Sequence, residues 1–511
     1  MTQLSRPPGQ VFAASELGGA LAACRRAFLA VALFSGMSNL LMLTGALFML
    51  EIYDRVLPSR SVPTLVALLI LAGGLYAAQG FIDAIRSRIL VRVGHSLDEA
   101  MSARVYEVIV RLPLKLGSKS GGTQPIRDLD TVRGFLSGIG PVALFDLPWM
   151  PVYLAICFLF HPYIGLTALT GAVILVAITI VTELRTRRPT GRATHLAAAR
   201  NSLMDSSRRN AEAITAMGMV GRIGDRWSEI NRNYVASSGH ASDVVGGLGS
   251  LSKILRLLLQ SAILAVGAWL VIHQESTAGI IIAGSILGGR ALAPVDLAIA
   301  NWRGFVAARQ SWHRLSRLLG NLPPRSQPMA LQPPEKMLQV QNAAVTPPGE
   351  PKVVCQDVNF SLDAGKAVGV IGPTGSGKSS LARMLVGVWT PLRGSVRLDG
   401  ASLDQWPPEA LGRHIGYLPQ DVELFPGNVA QNIARFEDPP NAEAVLAAAQ
   451  AAGVRDMICQ PARRLRNPCR RQQQRPFRRA GAAHCTCTSA LPRSVPDRAR
   501  RAEFQSRHRR R

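Results

Sequence analysis

The eight residues Gly372-Pro-Thr-Gly-Ser-Gly-Lys-Ser379 fit the pattern G-x-x-x-x-G-K-[ST]. Residue types at this spacing suit chemistry on phosphate groups. Gly375 and Gly377 let backbone N–H groups curl around an anion, and a helix starting at the loop's end adds a favourable field. Lys378 is suited to reach the outer phosphates of a nucleotide, and the Ser379 hydroxyl to ligate Mg²⁺. The candidate nucleotide-binding residues are therefore Gly372, Pro373, Thr374, Gly375, Ser376, Gly377, Lys378, Ser379 and Ser380. The bland alternative is a chance Gly/Ser turn, and the flanking elements argue against it. Ala367-Val-Gly-Val-Ile371 predicts a short buried strand running into the loop, and residues 378–386 predict an amphipathic helix.

The elements around this unit read as short strands and turns. Residues 338–340 and 359–362 predict strands, and Gly394-Ser-Val-Arg-Leu-Asp-Gly400 predicts a hairpin and its turn. Upstream, Asn321-Leu-Pro-Pro-Arg-Ser-Gln-Pro328 reads as a linker.

The first 300 residues have a different character. Hydrophobic residues make up 48% of the 511-residue chain and charged ones only 18%. Six apolar stretches, residues 27–50, 62–85, 140–160, 163–184, 257–272 and 278–300, are long enough to cover a hydrocarbon core, which takes about 20 helical residues. Arg256 borders the fifth and Arg290 interrupts the sixth. Buried soluble helices would need an unusually large core to absorb so many uncharged runs. Lys and Arg crowd the connections between stretches two and three and between four and five, whereas the links between three and four and between five and six have essentially none. The positive-inside rule then puts the basic connections, both termini and the phosphate loop in the cytoplasm. The basic connections keep a helical period, as in Leu90, Val93, Leu97, Met101, Val105 and Val108, so the spans are expected to continue beyond the membrane. A Gly/Ser/Lys-rich turn near residues 113–125 breaks that period and could press on a nucleotide domain. The opening apolar run starts late and is too long for a cleavable signal peptide.

This layout resembles an ABC exporter. Glu51-Ile-Tyr-Asp-Arg-Val-Leu-Pro-Ser59, Phe145-Asp-Leu-Pro-Trp149 with Phe160-His-Pro162, and Ala291-Leu-Ala-Pro-Val-Asp296 with Asn301-Trp-Arg303 are together similar to the hallmarks of type I protein-secretion exporters. The closest resemblance is to the protease and lipase secretion type without an N-terminal peptidase-like domain. It implies an α-helical six-span ABC exporter transmembrane domain followed by an α/β P-loop nucleotide-binding domain. It also implies ATP and Mg²⁺ as cofactors, a homodimer in the lipid bilayer of the bacterial inner membrane, and a secreted protein substrate. A periplasmic membrane-fusion protein and an outer-membrane channel would complete the conduit. Ile415-Gly-Tyr-Leu-Pro-Gln420 is similar to the family's Q-loop, so the resemblance assigns Gln420 to the metal or the attacking water, with Ser379 as the other Mg²⁺ ligand. An adenine-stacking aromatic is expected near Val345-Thr346, and none is there. Export of lipids or small molecules on the same scaffold is the runner-up reading.

The resemblance ends near residue 458. No LSGGQ-type signature follows, nor an apolar strand closing on Asp-Glu, nor a switch histidine. Whether such a chain is still an ATPase is left open by its sequence. Residues 461–511 instead hold 16 arginines against two carboxylates, +14 of the chain's +25. Four of the seven cysteines lie at this end, and Cys485-Thr-Cys487 lacks the second pair a zinc site needs. The composition predicts disorder. Back-translated and read one base later, codons for residues 476–484 permit an LSGGQ-type string and those for 484–508 an apolar run ending in Asp-Glu. A frameshift near codons 459–461 is the expectation. A non-enzymatic membrane protein using a basic tail on nucleic acid or anionic lipid is a further alternative, but too few aromatics are interleaved, so no nucleic-acid partner is expected. The domain reading is an N-terminal segment at 1–26, the membrane domain at 27–310, a linker at 311–335, an incomplete nucleotide-binding domain at 336–458 and a non-homologous tail at 459–511.

Overall fold

The computed structural model describes residues 16–117, 123–324, 331–419, 424–453 and 455. The chain forms two compact units, residues 1–111 with 121–324, and residues 112–120 with 325–511. The expected disordered tail lies outside the described residues.

The first unit is helical. Among the described residues, six helices are long and apolar enough to cross a membrane: Arg25–Ser59, Val62–Leu116, Gly140–Phe160, Pro162–Arg209, Val220–Ile272 and Ala278–Asn321, here spans 1 to 6. They coincide with the six apolar stretches, and four run well past them, as the periodicity predicts. The 55 residues of span 2 come to about 80 Å at 1.5 Å per residue, more than twice a hydrocarbon core of about 30 Å. The outer faces carry large apolar side chains such as Leu29, Leu69, Ile70, Leu159 and Ile272. In hydrocarbon these faces cost nothing, so the core between spans is held by close packing. Tyr153, Cys157, Ile164, Leu175, Ile263, Leu287 and Val295 form its centre. Small residues let the helices approach: a Cβ on Gly171 would fall 2.2 Å from Leu259, and one on Gly288 would fall 2.4 Å from Ile263.

The three segments that carry the family resemblance are the polar joints of this bundle. Asp146 accepts from Arg86 Nη1 at 3.0 Å and from Asn39 Nδ2 at 2.8 Å, all three side chains buried. Arg86 also reaches the Ser35 hydroxyl and pairs with Asp83, which ties spans 1, 2 and 3 together. Span 3 breaks into a 3₁₀ turn at Leu147–Trp149, and Trp149 lies where a Cβ on Gly36 would be 2.9 Å away. Span 1 passes through a π-helical turn, Ile52–Val56. There Asp54 accepts from Thr277 Oγ1 at 2.7 Å and from the Gly279 N–H at 2.9 Å, capping the start of span 6. Asp296 accepts from the Ser252 hydroxyl and sits 3.1 Å from Arg256 Nε, joining spans 5 and 6. That second contact is an ion pair by distance, without the alignment of a hydrogen bond.

The second unit contains a four-stranded antiparallel sheet in the order β2-β1-β3-β4, with β1 at Met337–Val345, β2 at Cys355–Asp363, β3 at Arg393–Leu398 and β4 at Ala401–Ser402. The strands predicted at 338–340 and 359–362 lie in β1 and β2, and the predicted hairpin is β3–β4. Asp399 in the hairpin turn accepts from the N–H groups of Glu335, Lys336 and Met337, fastening the entry to β1. Val340, Ala343, Val345 and Val396 pack on Met384 of the helix Lys378–Leu385. Residues 112–117 belong to this unit, where a Cβ on Gly117 would fall 2.4 Å from the Pro348 carbonyl.

One expectation is overturned. Residues 367–371 form no strand and are not buried. Val368 is 51% exposed and Ile371 96%. A short apolar strand of this kind is stable only with neighbours to pair its N–H and C=O groups. Among the described residues none pairs with it. Residues 415–419 are likewise outside any strand, with Tyr417 and Leu418 exposed.

Two measurements test these joints. Asp146→Ala leaves the Arg86 guanidinium buried and without its inner carboxylate, and is expected to cost about 3–5 kcal/mol. Thermal unfolding of the detergent-solubilised protein should fall accordingly, and Arg86→Leu in the same chain should recover part of the loss. For Asp399, burial pushes the carboxyl up, but the backbone N–H groups of Met337, Glu335 and Lys336 outweigh it and hold the group below its ordinary 3.8. Its stabilisation is therefore complete above that value and is lost as pH falls through the lower folded value. Amide exchange at Met337 should rise over that window in the native chain, and Asp399→Ala should remove the pH dependence.

Candidate functional site

The phosphate loop is built between two supports. Below it, β2 starts at Cys355, whose Sγ lies 3.6 Å from the Gly377 carbonyl. Beyond it, the helix Lys378–Leu385 is anchored by fully buried Met384, with Leu381 and Leu385 packed beside it. The Arg383 guanidinium lies 5.0 Å over the Trp389 ring and closes the far end of this helix.

Gly377 is the helix N-cap and has left-handed backbone, φ +91°. A Cβ there would stand 2.4 Å from Cys355 Sγ and 2.8 Å from Val354 Cγ1, so both conformation and space demand glycine. Gly375 is also left-handed, φ +86°, but faces open space. These two turns carry Thr374, Gly375 and Ser376 outward, where all are exposed. Lys378 folds back over the loop, its Nζ donating to the carbonyls of Gly372 at 2.8 Å and Pro373 at 2.7 Å. It lies 3.4 Å from Ser376 Oγ.

The residues present fit a nucleotide's phosphates. The N–H groups of Gly375 and Gly377 take no backbone acceptor among the described residues, a cation stands over the loop, and a helix N-terminus lies behind it. Ser379 and Ser380 occupy the first turn of that helix, with Ser379 exposed. For Mg²⁺ the described residues offer the Ser379 hydroxyl. Gln420, the other expected ligand, lies outside the described residues. No group of three His, Cys, Asp or Glu side chains able to hold a metal occurs among those described.

Downstream, the structure joins two further segments. Buried Asn432 donates to the Phe425 carbonyl and accepts from the Phe425 N–H, each at 3.0 Å. It thereby clips the Phe425-Pro-Gly427 segment to the helix Val429–Ile433, whose N-terminus carries the Asn428–Gln431 capping box. Val345, near the expected adenine-stacking position, is wholly buried core, and Thr346 Oγ1 is buried without a hydrogen-bond partner. The place of Cys355 under Gly377 follows from the fold of β2 beneath the loop, and nothing in the spacing of the cysteines signals it.

Comparison with known proteins gives this architecture its family. Residues 28–287 match the family of the ABC transporter transmembrane region and residues 355–474 the ABC transporter family, so the chain is an ABC transporter. Within that class it belongs to the type I protein-secretion exporters. It is 55% identical over 444 residues to the type I secretion system ATP-binding protein PrsD of Rhizobium meliloti, covering 87% of this chain and 76% of that one. It is 26% identical over 440 residues to the alpha-hemolysin translocation ATP-binding protein HlyB of Escherichia coli and spans 62% of that protein's length. Among solved structures, a bacterial Atm1-family ABC exporter with ATP bound shares the fold, with a TM-score of 0.74 at 18% identity, covering 96% of this chain and 89% of that one.

Gly377→Ala puts a methyl group into Cys355 and Val354 at an unfavourable φ. It is expected to weaken binding of a fluorescent ATP analogue at least about tenfold, whereas Gly375→Ala meets no neighbour and loses affinity only through backbone strain. Titration of both variants beside the native chain checks the order.

Proposed function

We propose that this chain is the permease and ATP-binding subunit of a type I secretion system and exports a protein across the bacterial inner membrane. The observation that carries this reading is a phosphate loop on a helix N-terminus in one chain with six membrane-length helices. The 55% identity to PrsD supports the secretion branch of the family. The chain would work as a homodimer with a membrane-fusion protein and an outer-membrane channel. Both termini and the nucleotide half would face the cytoplasm, following the basic connections between spans 2 and 3 and between 4 and 5.

In this reading ATP supplies the free energy of transport. The loop from Gly372 to Ser380 binds its phosphates, Lys378 turns from the Gly372 and Pro373 carbonyls towards them, and Ser379 with Gln420 holds Mg²⁺. Hydrolysis is a separate matter. Residues 459–511 contain neither an LSGGQ-type motif nor an apolar strand ending in Asp-Glu, so the motif carboxylate that would polarise water is not in the sequence. The unpaired, exposed segments at 367–371 and 415–419 fit the same deficit, because neither finds a strand to pair with among the described residues. A single-base shift near codons 459–461 accounts for it.

The 511-residue chain is expected to bind the nucleotide analogue through Lys378 and to show no ATPase rate above Lys378→Ala. A Lys378-dependent rate would refute the hydrolytic defect. Resequencing codons 450–511 separates the two origins: one added or missing base restores the signature and the Asp-Glu strand, and an unchanged frame removes the frameshift reading.

A further inference from the structure

Only five residues of charged type lie within the six apolar stretches: Asp83, Asp146, Glu183, Arg290 and Asp296. Each of the four carboxylates is met by an arginine. Asp83 and Asp146 lie 3.1 and 3.0 Å from Arg86, Glu183 lies 3.1 Å from Arg309, and Asp296 lies 3.1 Å from Arg256. Arg290 is the exception. No carboxylate lies within 4 Å of its guanidinium among the described residues. Its Nη1 instead approaches Met42 Sδ at 4.0 Å, where span 1 is interrupted between Leu41 and Thr44. The side chain is exposed, while Leu287, Ala291 and Leu292 on the same helix are packed in the core.

Arg290 stands twelve residues after Ala278, the first residue of span 6. That is about 18 Å along a helix, near the middle of a hydrocarbon core of about 30 Å. A guanidinium keeps its charge in any protein setting. At mid-membrane depth such a charge faces a bundle interior or a water-filled path rather than lipid tails. Lipid phosphates lie at the bilayer surface, too far away to serve as its counter-ion. The group that fits its planar fork is a carboxylate, which it can hold with two parallel hydrogen bonds.

We propose that Arg290 contacts the exported polypeptide and favours passengers whose translocating segment carries Asp, Glu or a terminal carboxylate. The proposal rests on the export reading above and names the substrate chemistry of that path.

The full chain in lipid nanodiscs, exposed to short photoreactive peptides, provides the test. One peptide carries Asp and Glu, and its counterpart carries Asn and Gln at the same positions. Labelled sites are mapped by mass spectrometry, so attachment to the Arg-rich tail is scored apart from span 6. The acidic peptide is expected to label span 6 around residue 290 about tenfold more than the neutral one, as a charge-assisted hydrogen bond would give. Arg290→Gln should reduce it to the neutral level, and Arg290→Lys should keep part of the preference. Binding of the ATP analogue should stay unchanged in both variants, which shows that they fold. Equal labelling of span 6 by both peptides, or acidic labelling untouched by Arg290→Gln, overturns the proposal while leaving export standing. Labelling of no span by either peptide overturns the proposal and the export reading together.

Discussion

A charge inside an apolar helix has no water to turn to, so the protein must supply its counter-charge, and the membrane half is arranged around that demand. The joint at Asp146 shows the consequence. Its carboxylate takes the buried Arg86 of span 2 and Asn39 of span 1, which fixes three spans at one point. Tyr153, about two turns further along span 3, donates to the Asn39 carbonyl and extends the same network. With Asp146 committed, span 3 breaks at Leu147–Trp149, and Trp149 fills the notch beside Gly36. Asp296 repeats the principle between spans 5 and 6 with Arg256, and Asp54, just past the first apolar run, is satisfied by the Thr277 hydroxyl and the Gly279 N–H at the start of span 6. Apolar contacts alone would leave these helices free to slide, because lipid tails pack against leucine as well as another leucine does. The polar joints set which face meets which.

The nucleotide half obeys a different constraint, the satisfaction of backbone hydrogen bonds. Its antiparallel sheet is formed because β1 finds β2 on one side and β3 on the other within the described sequence. Residues 367–371 are as apolar as those strands, yet stay outside any strand and exposed for want of a neighbour. The phosphate loop nevertheless keeps its shape. It is held from beneath by Val354 and Cys355 and from beyond by the helix rooted at Met384, rather than by the strand that leads into it. Loop geometry and a covered sheet are thus separable features of this unit: the first suffices to present N–H groups and a lysine to phosphates, and the second is what a complete catalytic domain adds.

Much of the fold was legible because it rests on periodicity and composition. Six uncharged runs of membrane length became six helices, and the helical period past residue 85 continued to Leu116. The hairpin at 394–400 was readable from its Asp-Gly turn, since both residues take positive φ there. The partners of Asp146, Asp54 and Asp296 were not readable. Each lies between about 40 and 225 positions away in sequence, and a lone Asp in an apolar run announces only that a partner exists. The strand at 367–371 failed for the complementary reason: β-propensity measures fit to neighbours, and a sequence window cannot show that the neighbours are missing.

By itself the sequence determined the class of helix, the number of spans, the phosphate loop and the family, because those depend on residue type and local spacing. The tertiary structure alone decided that Gly377 must be glycine to clear Cys355 and that Asn432 holds the Phe425 segment. It alone decided that Arg290 is an intramembrane charge with no carboxylate within 4 Å among the described residues. Each of these depends on which distant atoms come within a few ångströms, and a linear order of residues does not contain that information.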